Sequence, residues 1–582
     1  MNPAAKQDIT LVIAGGGGAG ALTAGELLLK AAARRGYFGL MTRAVGPQIR
    51  GGESAALLRI SRAPVAAHRD MFDVLFAIDW TNYARFTGEI ALAPGARVFA
   101  GADDMPQEVA AARPLPEHFD FRALLARDER PNMFTLGFLA ALIGIEADIV
   151  AAVIAERFAH LGREVRARNI RAAATGAAQA ARFDPLLRPP AARAPQERWL
   201  ISGNQAAALG ALAAGVRFAA AYPITPSSDL TEWLGPRIEA LGGQLVQAED
   251  ELASINMLIG ASFGGVPALS ATSGPGLALM MEGIGLAVMT ETPLVVIDVQ
   301  RAGPSTGIPT RSEQTDLEIA LYGLHGEAPH LVLAPMSVPD CLFTTAWAVE
   351  LAERLQTPAI VLSEQRIGQM NMILDAPALP DMTAQRKLAQ PAGDDPCLRY
   401  AATADHVAPM AIPGTAGGMH TPTGLEHDAR GRPSSQPADH LAQLRRRQEK
   451  LAAFDYGDHW AHMEGEGAMA LIGWGGAAAP VLEAARQCRA MGVEVRTIIP
   501  RLLAPAQPDR MAAALAGVER VLVVENSHSG QFLRYLRAHY DLPGEVRSLR
   551  HAGPAGIAAG EVRAAIADLL HIDDLKQPEA VS

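Results

Sequence analysis

The sequence predicts an α/β protein with several domains built on parallel β-sheets. Short apolar runs typical of buried strands alternate with Ala- and Leu-rich stretches typical of helices along most of the chain. Aromatic residues make up only 5% of the sequence, which suits helices packed closely on parallel strands better than aromatic-rich β architectures. At roughly 150 residues per domain, the 582 residues predict about four compact units.

Charge and cysteine content exclude several classes of protein. The formal net charge of -11 argues against nucleic acid binding, which needs a broad cationic surface. Cys341, Cys397 and Cys488 lie far apart, so they predict neither a disulfide scaffold nor an iron–sulfur cluster held by this chain, and they fit a reducing compartment. Because we find no signal peptide and no apolar run of membrane-spanning length, we expect a cytoplasmic protein.

Changes in pattern divide the chain into predicted units. An α/β domain is expected over 1–185, followed by a linker over 186–198 whose prolines no helix or strand interior would tolerate. Strand–helix alternation resumes over 199–375 and fades in a connector over 376–460. A last α/β domain is predicted over 461–575.

Three further patterns give only weak indications of function. Gly15 to Gly20 fit the dinucleotide motif G-x-G-x-x-G, but Arg43 stands where such a site needs an acid, so we favour a tight turn or another phosphate-bearing ligand over NAD or FAD. His325 and Glu327 lack a third ligand at useful spacing, so no metal site is predicted. The three arginines at 445–447 predict a solvent-exposed helix face.

The segment from Tyr222 to Ser228 (YPITPSS) directly follows an apolar strand. Its two prolines fix the backbone and place Thr225 on a rigid loop at the carboxyl end of that strand, a position that favours contact with a ligand. The alternative interpretation is a rigid connector in which Ser227 or Ser228 caps the next helix.

The segment QAEDE, ending at Glu251, places three carboxylates just before an apolar helix. Acids at a helix start usually interact with the helix dipole. A carboxylate buried between two subunits can instead bind a heterocyclic nitrogen and shift an aminopyrimidine toward the imino tautomer that acts as a base. Because Glu251 begins the helix and apolar residues follow it at once, we predict that Glu251 points inward.

Two Gly-rich loops follow strand-like runs, at 270–276 (SATSGPG) and 300–307 (QRAGPSTG). Loops after successive parallel strands converge on one crevice. Arg301, directly after a strand, is suited to bind a carboxylate at two points, and a surface salt bridge is the alternative.

Together, YPITPSS, QAEDE, ATSGPG and QRAGPSTGIPT resemble the α subunit of thiamine-diphosphate-dependent 2-oxoacid:ferredoxin oxidoreductases, especially the 2-oxoglutarate type. The first 180 residues, with GGGGAGALTAGELL and GPQIRGGES, resemble the γ domain of the same family, and GLEHDARGRPS and VVENSHSGQF also resemble the α subunit. The resemblance covers nearly the whole chain. It implies a γ-type domain, then a pyrimidine-binding domain, and a transketolase-C-like domain at the C-terminus.

The resemblance also implies roles for particular residues. Glu251 would face the aminopyrimidine N1′ of thiamine diphosphate, with Glu249 as the alternative if the register is shifted. Thr225, with Pro223 and Ile224 beside it, would line the thiazolium and the carboxylate end of the substrate.

Four more residues complete the site that the resemblance implies. Arg301 would bind the substrate carboxylate, and Arg311 is a weaker candidate for a distal carboxylate. Ser273 and Gly274 would shape the cofactor crevice, while the N-terminal domain would mainly form interfaces, with a possible contact to coenzyme A.

The family's diphosphate motif, a Gly-Asp-Gly followed by Asn, is absent from the chain, as are cysteines for its cluster. The resemblance therefore implies a separate β subunit that carries Mg²⁺ and a [4Fe-4S] cluster, an (αβ)₂ heterotetramer, and no activity for this chain alone. The implied reaction is oxidative decarboxylation of 2-oxoglutarate to succinyl-CoA with electrons passed to ferredoxin, or its reverse.

Other functions remain open at this point. Pyruvate, a branched-chain 2-oxoacid or an aryl pyruvate could replace 2-oxoglutarate within the same chemistry. Outside it, the chain could be a non-catalytic dinucleotide-binding electron-transfer subunit built around Gly15 to Gly20, or a structural assembly subunit.

Overall fold

Three β-sheets flanked by helices organise the protein, which confirms the predicted α/β class. The computed structural model describes residues 6–576 except 47–51, 87, 101–104, 107–108, 110–116, 119, 188–189, 191–197, 391–396 and 554. The strands are β1 (Asp8–Gly16), β2 (Phe38–Val45), β3 (Glu53–Ser61), β4 (Phe72–Ala77), β5 (Leu92–Ala100), β6 (Glu117–His118), β7 (Arg198–Ser202), β8 (Phe218–Ala221), β9 (Gln244–Gln247), β10 (Ala268–Thr272), β11 (Leu294–Gln300), β12 (Leu331–Leu333), β13 (Pro358–Glu364), β14 (Asn371–Asp375), β15 (Ala461–Glu464), β16 (Met469–Gly473), β17 (Arg496–Pro500), β18 (Leu502–Ala504), β19 (Arg520–Glu525) and β20 (Glu545–Arg550).

Helices cover these sheets and connect most of the parallel strands. The α-helices are α1 (Ala21–Arg35), α2 (Pro131–Leu142), α3 (Ala147–Arg157), α4 (Arg163–Ala180), α5 (Gly203–Ala213), α6 (Ser228–Ala240), α7 (Glu251–Phe263), α8 (Gly274–Thr290), α9 (Leu317–Tyr322), α10 (Val338–Leu355), α11 (Gln365–Gly368), α12 (Pro437–Ala452), α13 (Ala478–Ala490), α14 (Pro508–Ala514), α15 (Gln531–His539) and α16 (Ala559–Leu570). Within the described residues, every helix is too short or too polar to cross a bilayer.

The first sheet has the strand order β6-β5-β4-β1-β3-β2-β14-β7 and is mixed. The β1 strand is buried at all nine positions, pairs parallel with β4 and pairs antiparallel with β3. Strands β14 and β7, which come from either end of the segment 199–375, complete this sheet by antiparallel pairing. The sheet therefore joins the N-terminal unit to the one that follows it.

The second sheet, in the order β18-β12-β13-β11-β10-β8-β9, positions the candidate site. Its strands run parallel except β18, which belongs to the C-terminal part of the chain and pairs antiparallel with β12. Every position of β11 and β13 is buried, because helices cover both faces of a parallel sheet. Their near-continuous apolar sequences are the consequence.

The third sheet, β15-β17-β16-β19-β20, forms the C-terminal unit and is parallel apart from β15. Residues of α13 and α16 bury their apolar sides in one core with β16 and β19. The three cysteines are unpaired, in agreement with the expected absence of a disulfide scaffold.

The prediction that the arginines at 445–447 form an exposed helix face is wrong for two of them, because Arg446 and Arg447 are buried. On α12, Arg446 binds the fully buried carboxylate of Glu291, and Nζ of Lys450 lies 3.1 Å from the same carboxylate. Arg447 pairs with Glu426. Buried charges persist where each has a partner of opposite sign, so this face of α12 anchors the connector to the end of α8.

The glycine-rich turn after β1 is held by local hydrogen bonds. The amide of Gly16 donates to Asp79 Oδ1 at 2.8 Å, and the amide of Gly17 donates to the carbonyl of Gly52. Gly20 lies at φ 85° directly before α1, where a side chain would meet Asn132. A tight structural turn, one of the two interpretations favoured from sequence, is therefore present.

Candidate active site

The candidate site lies at the carboxyl ends of β8, β10 and β11, where the three predicted loops meet. Parallel strands place their carboxyl ends at one edge of a sheet, and the register pairs β10 with both β8 and β11. The loop 222–227 follows β8, Ser273 precedes α8 after β10, and Arg301 follows β11. The convergence expected from the strand pattern is confirmed.

The loop after β8 is held from below and leaves Thr225 at the surface. Asn204, at the start of α5, donates from Nδ2 to the carbonyl of Pro226 at 2.9 Å. The hydroxyl of Ser227 donates to the carbonyl of Ile224 at 2.8 Å and does not cap α6. The helix-cap alternative for Ser227 is therefore not what the structure shows, and the loop presents Thr225 as an exposed residue of a fixed turn.

Among the three acids of QAEDE, only Glu251 is buried, with 6% of its surface exposed. Asp250 is the N-cap of α7, where its carboxylate accepts the amide of Ala253 at 2.7 Å. This cap fixes Glu251 as the first helical residue, and Glu249 remains exposed before it. The predicted inward direction of Glu251 is confirmed.

The carboxylate of Glu251 lies against the start of α8, and no described group donates a hydrogen bond to it. No hydrogen bond to it comes from any residue that the structure describes. A Cβ on Gly276 would lie 2.5 Å from Glu251 Oε1 and would collide with Thr272 Oγ1. Glycine at this position therefore makes room for a carboxylate that still has hydrogen-bonding capacity.

Arg301 connects the end of β11 to the loop after β8. Its Nη1 donates to the carbonyl of Thr225 at 2.7 Å, and only 7% of its surface is exposed. Burial lowers the pKa of Arg301, and the acids Asp316 and Asp298 oppose that shift. The Nε of Arg301 is buried without an acceptor among the described residues, so the guanidinium has further donors to offer.

Arg311 lies in a different setting. Its Nη1 and Nη2 donate to the two carboxylate oxygens of Glu89 at 2.6 and 2.8 Å. Glu89 belongs to the N-terminal unit, so this buried pair joins that unit to the loop after β11. Both terminal nitrogens of Arg311 are occupied by Glu89, unlike those of Arg301.

Sequence reasoning missed two acids beside Arg301. Asp298 is fully buried on β11, and Asp316 lies just before α9 with both its carboxylate oxygens 2.6 Å from where a Cβ on Gly274 would stand. The sequence signal for Asp298 was its place inside the apolar run PLVVIDVQ, because an acid within a buried strand is rarely a surface residue. The hydroxyl of Ser273 is also buried without a partner in the described chain.

In the part of the chain that the structure describes, no group of three His, Cys, Asp or Glu side chains lies close enough to hold an ion. This includes the neighbourhood of His325 and Glu327.

Comparison with known proteins gives the site its family. Residues 209–446 match the family described as pyruvate flavodoxin/ferredoxin oxidoreductase, thiamine diphosphate-binding, and residues 10–179 match pyruvate ferredoxin/flavodoxin oxidoreductase. The chain is 37% identical over 462 residues to the 2-oxoglutarate oxidoreductase subunit KorA of Mycobacterium tuberculosis, covering 75% of this chain and 69% of the relative.

Two longer matches cover both proteins almost fully. The chain is 30% identical over 603 residues to subunit alpha of 2-oxoacid:ferredoxin oxidoreductase 2 of Aeropyrum pernix, covering 91% of this chain and 93% of the relative. The solved structure of 2-oxoglutarate:ferredoxin oxidoreductase from Magnetococcus marinus, with 2-oxoglutarate, coenzyme A and succinyl-CoA bound, superposes with a TM-score of 0.87 at 32% identity, over 98% and 100% of the two chains. The chain therefore belongs to the 2-oxoacid:ferredoxin oxidoreductase family, as an α-type enzyme subunit with a thiamine-diphosphate-binding domain.

Proposed function

We propose that this chain is the α subunit of an enzyme that converts 2-oxoglutarate and coenzyme A to succinyl-CoA and CO₂ and passes the electrons to ferredoxin, or that runs the reverse reaction. The observation that carries the proposal is the contact between Arg301 and Thr225 at the edge of the second sheet where Glu251 lies buried beside Thr272 and Gly276. The choice of 2-oxoglutarate is supported by the names of the KorA relatives and by the ligands in the Magnetococcus marinus structure.

Glu251 fits the carboxylate that thiamine diphosphate requires. Its carboxylate is buried, has room beside Gly276, and accepts no hydrogen bond from the described residues. Thiamine diphosphate supplies a carbon nucleophile once its aminopyrimidine takes the imino form. We assign Glu251, in preference to Glu249, to hold a proton at N1′ of the pyrimidine, because Glu251 is buried and Glu249 is exposed ahead of the helix.

Arg301 is assigned to the carboxylate next to the reacting 2-oxo carbon. One of its nitrogens is used by the carbonyl of Thr225, which orients the guanidinium, and others remain to bind a carboxylate. Thr225, with Pro223 and Ile224, lines the same opening, while Ser273 and Gly274 shape its floor at the start of α8. Arg311 would reach a distal carboxylate only by exchanging its contacts with Glu89.

A partner subunit is proposed to complete the site. Beside the crevice, α7 exposes Leu252 and Met257 and α8 exposes Leu279, while Tyr222 is exposed on the loop after β8. Large apolar side chains clustered around a site are typical of a surface that another chain covers. We assign Mg²⁺, the diphosphate contacts and a [4Fe-4S] cluster to this β subunit, in a cytoplasmic (αβ)₂ assembly.

We assign a separate role to each unit of the chain. The unit 1–185 is γ-type, the linker 186–198 leads into the pyrimidine-binding unit 199–375, and the unit 461–575 follows the connector 376–460. The γ-type unit contacts the loop after β11 through the Glu89–Arg311 pair, and we assign the contact with coenzyme A to this unit.

The test is an anaerobic assay of the complex purified from its native host. Coenzyme A-dependent reduction of a viologen dye is measured with 2-oxoglutarate, pyruvate and a branched-chain 2-oxoacid. We expect activity with 2-oxoglutarate in a preparation that contains a second, cluster-bearing subunit. Activity with another acid alone would overturn the substrate, and activity with none of them would overturn the reaction.

A further inference from the structure

Behind Arg301, two acids lie without the hydrogen-bond donors that buried carboxylates need. Asp298 is fully buried on β11, and neither of its carboxylate oxygens accepts from a donor in the described chain. Asp316 donates its amide to Gln300 Oε1 at 3.1 Å, while its own Oδ2 is buried and also lacks a donor. An unsatisfied buried carboxylate is costly, so these two groups require an explanation.

Each of the two carboxyl groups can serve as the hydrogen-bond partner of the other. Asp298 and Gln300 lie two residues apart on β11 and therefore share one face of that strand, and Gln300 accepts the amide of Asp316 on that face. Two ionised carboxylates brought together in this way have no proton with which to hydrogen-bond each other. Burial raises the pKa of Asp298 well above its ordinary value, with Asp316 adding to the effect. Burial raises the pKa of Asp316 to about 6. Both shifts favour a state in which the pair keeps a proton.

Among the described residues, Arg301 and Glu313 are the charged groups that act on the pair. Arg301 is the cation that faces both acids, and Glu313 is the additional acid near Asp316. The carboxylate of Asp316 also lies against Gly274, so the pair abuts both the start of α8 and the end of β11. The pair therefore lies beside Arg301, which in turn contacts Thr225.

We propose that Asp298 and Asp316 share one proton and act as a positioning pair that keeps the guanidinium of Arg301 available for the carboxylate of a 2-oxoacid. The inference rests on the proposed function of Arg301. With one proton, the pair and Arg301 sum to zero charge. Without it, two negative charges attract the guanidinium and repel the incoming carboxylate. The apparent affinity for the 2-oxoacid therefore falls as the pH rises through the loss of that proton.

The first test asks whether the shared proton exists, and it uses the full chain without substrate. Infrared spectra at neutral pH are recorded for the wild type and for Asp298→Asn, in which a neutral amide can donate to Asp316. The expected result is a carbonyl band of a protonated carboxylic acid that the variant loses. Asp316→Asn serves as the second variant if Asp298→Asn does not fold.

The matched control is Asp229→Asn, because the carboxylate of Asp229 accepts Nε2 of Gln369 at 3.0 Å and needs no proton. The band is expected to persist in this control. A spectrum in which the band survives in both Asp298→Asn and Asp316→Asn would overturn the shared proton and leave the proposed function standing.

The second test asks whether the proton matters for substrate. In the complete wild-type enzyme, KM for 2-oxoglutarate is expected to rise about tenfold or more as the pH rises above neutral. In the Asp298→Asn enzyme, KM for 2-oxoglutarate is expected to change by no more than about twofold over the same pH range. KM for coenzyme A is not expected to follow the wild-type profile. A profile identical in wild type, Asp298→Asn and Asp229→Asn would overturn the positioning role. An enzyme inactive toward every 2-oxoacid would overturn the function of Arg301 itself, while the infrared result would still decide the proton.

Discussion

The guanidinium of Arg301 donates to the main-chain carbonyl of Thr225 across 2.7 Å, although the two residues are 76 positions apart. The bond connects the end of β11 to the loop after β8 and fixes the orientation of the guanidinium between them. Because a main-chain carbonyl takes only one of the five N–H groups of an arginine, the contact orients Arg301 without neutralising its charge. The same arginine therefore connects the two loops and keeps further N–H donors for a ligand.

Replacing Glu251 by glutamine is expected to remove most turnover while the complex still assembles. The amide keeps the size of the carboxyl group but cannot hold a shared, transferable proton at a pyrimidine nitrogen as the acid does. Turnover is measured in the anaerobic dye assay, and assembly by size-exclusion chromatography. Glu249→Gln is the matched control, since Glu249 is exposed two residues earlier. Near-full activity of Glu251→Gln, or equal losses in both variants, would contradict the assignment.

Replacing Arg301 by alanine is expected to raise KM for the 2-oxoacid by about 10- to 100-fold, because the substrate carboxylate loses a charge-assisted hydrogen bond. KM for coenzyme A should change much less, because Arg301 is assigned to the oxoacid carboxylate. Initial rates are measured for each substrate with the other saturating. The control is Arg237→Ala on α6, whose guanidinium lies 3.8 Å above the ring of Trp233. Equal increases for both substrates would count against the carboxylate role.

Local patterns were sufficient to predict the parts of the site that depend on local structure. The apolar run before Arg301 predicts a buried strand that ends there, and the acids before an apolar helix predict that Glu251 starts α7. Since parallel strands end at a common edge, the meeting of Thr225 and Arg301 also follows from the order of elements.

The rest depends on partners that are distant in sequence. Arg446 is buried because Glu291, 155 positions earlier, lies opposite it, and the helical pattern of α12 contains no trace of that partner. The Asp298–Asp316 pair is similar, because the loop between β11 and α9 brings together an interior strand position and a helix start. The addition of β7 and β14 to the first sheet is a third case, since strand pairing across domains leaves no local signal.

Replacing Gly276 by alanine is expected to weaken binding of thiamine diphosphate by about tenfold or more, because the new Cβ would push against Glu251 Oε1 and Thr272 Oγ1. Cofactor binding to the apo-complex is measured by titration and followed by recovery of activity. Gly285→Ala on the same helix is the matched control, since the nearest atom to its Cβ belongs to His325 at 3.9 Å. Equal cofactor affinities in the two variants would show that the space at Gly276 is not needed.

Replacing Glu291 by glutamine is expected to lower the free energy of unfolding by about 3–5 kcal/mol, because Arg446 and Lys450 would remain buried without an ionised partner. Burial alone raises the pKa of Glu291, but Lys450 and Arg446 hold that pKa below its ordinary value of 4.5. A carboxyl whose pKa is lowered by folding contributes stability above its unfolded pKa and loses it as the pH falls. The difference between wild type and variant should therefore be full near neutral pH and shrink below about pH 4.5.

Urea unfolding followed by tryptophan fluorescence measures this difference at several pH values. The control is Glu350→Gln, since Glu350 pairs at 3.9 Å with Arg354, whose side chain is 60% exposed, and such surface pairs contribute about 0–1 kcal/mol. A loss in Glu291→Gln no larger than in Glu350→Gln would mean that the connector is held by its apolar contacts alone. A larger loss that does not diminish in acid would mean that Glu291 stabilises the fold by packing. Protonation in acid removes the charge of Glu291 but leaves its packing unchanged.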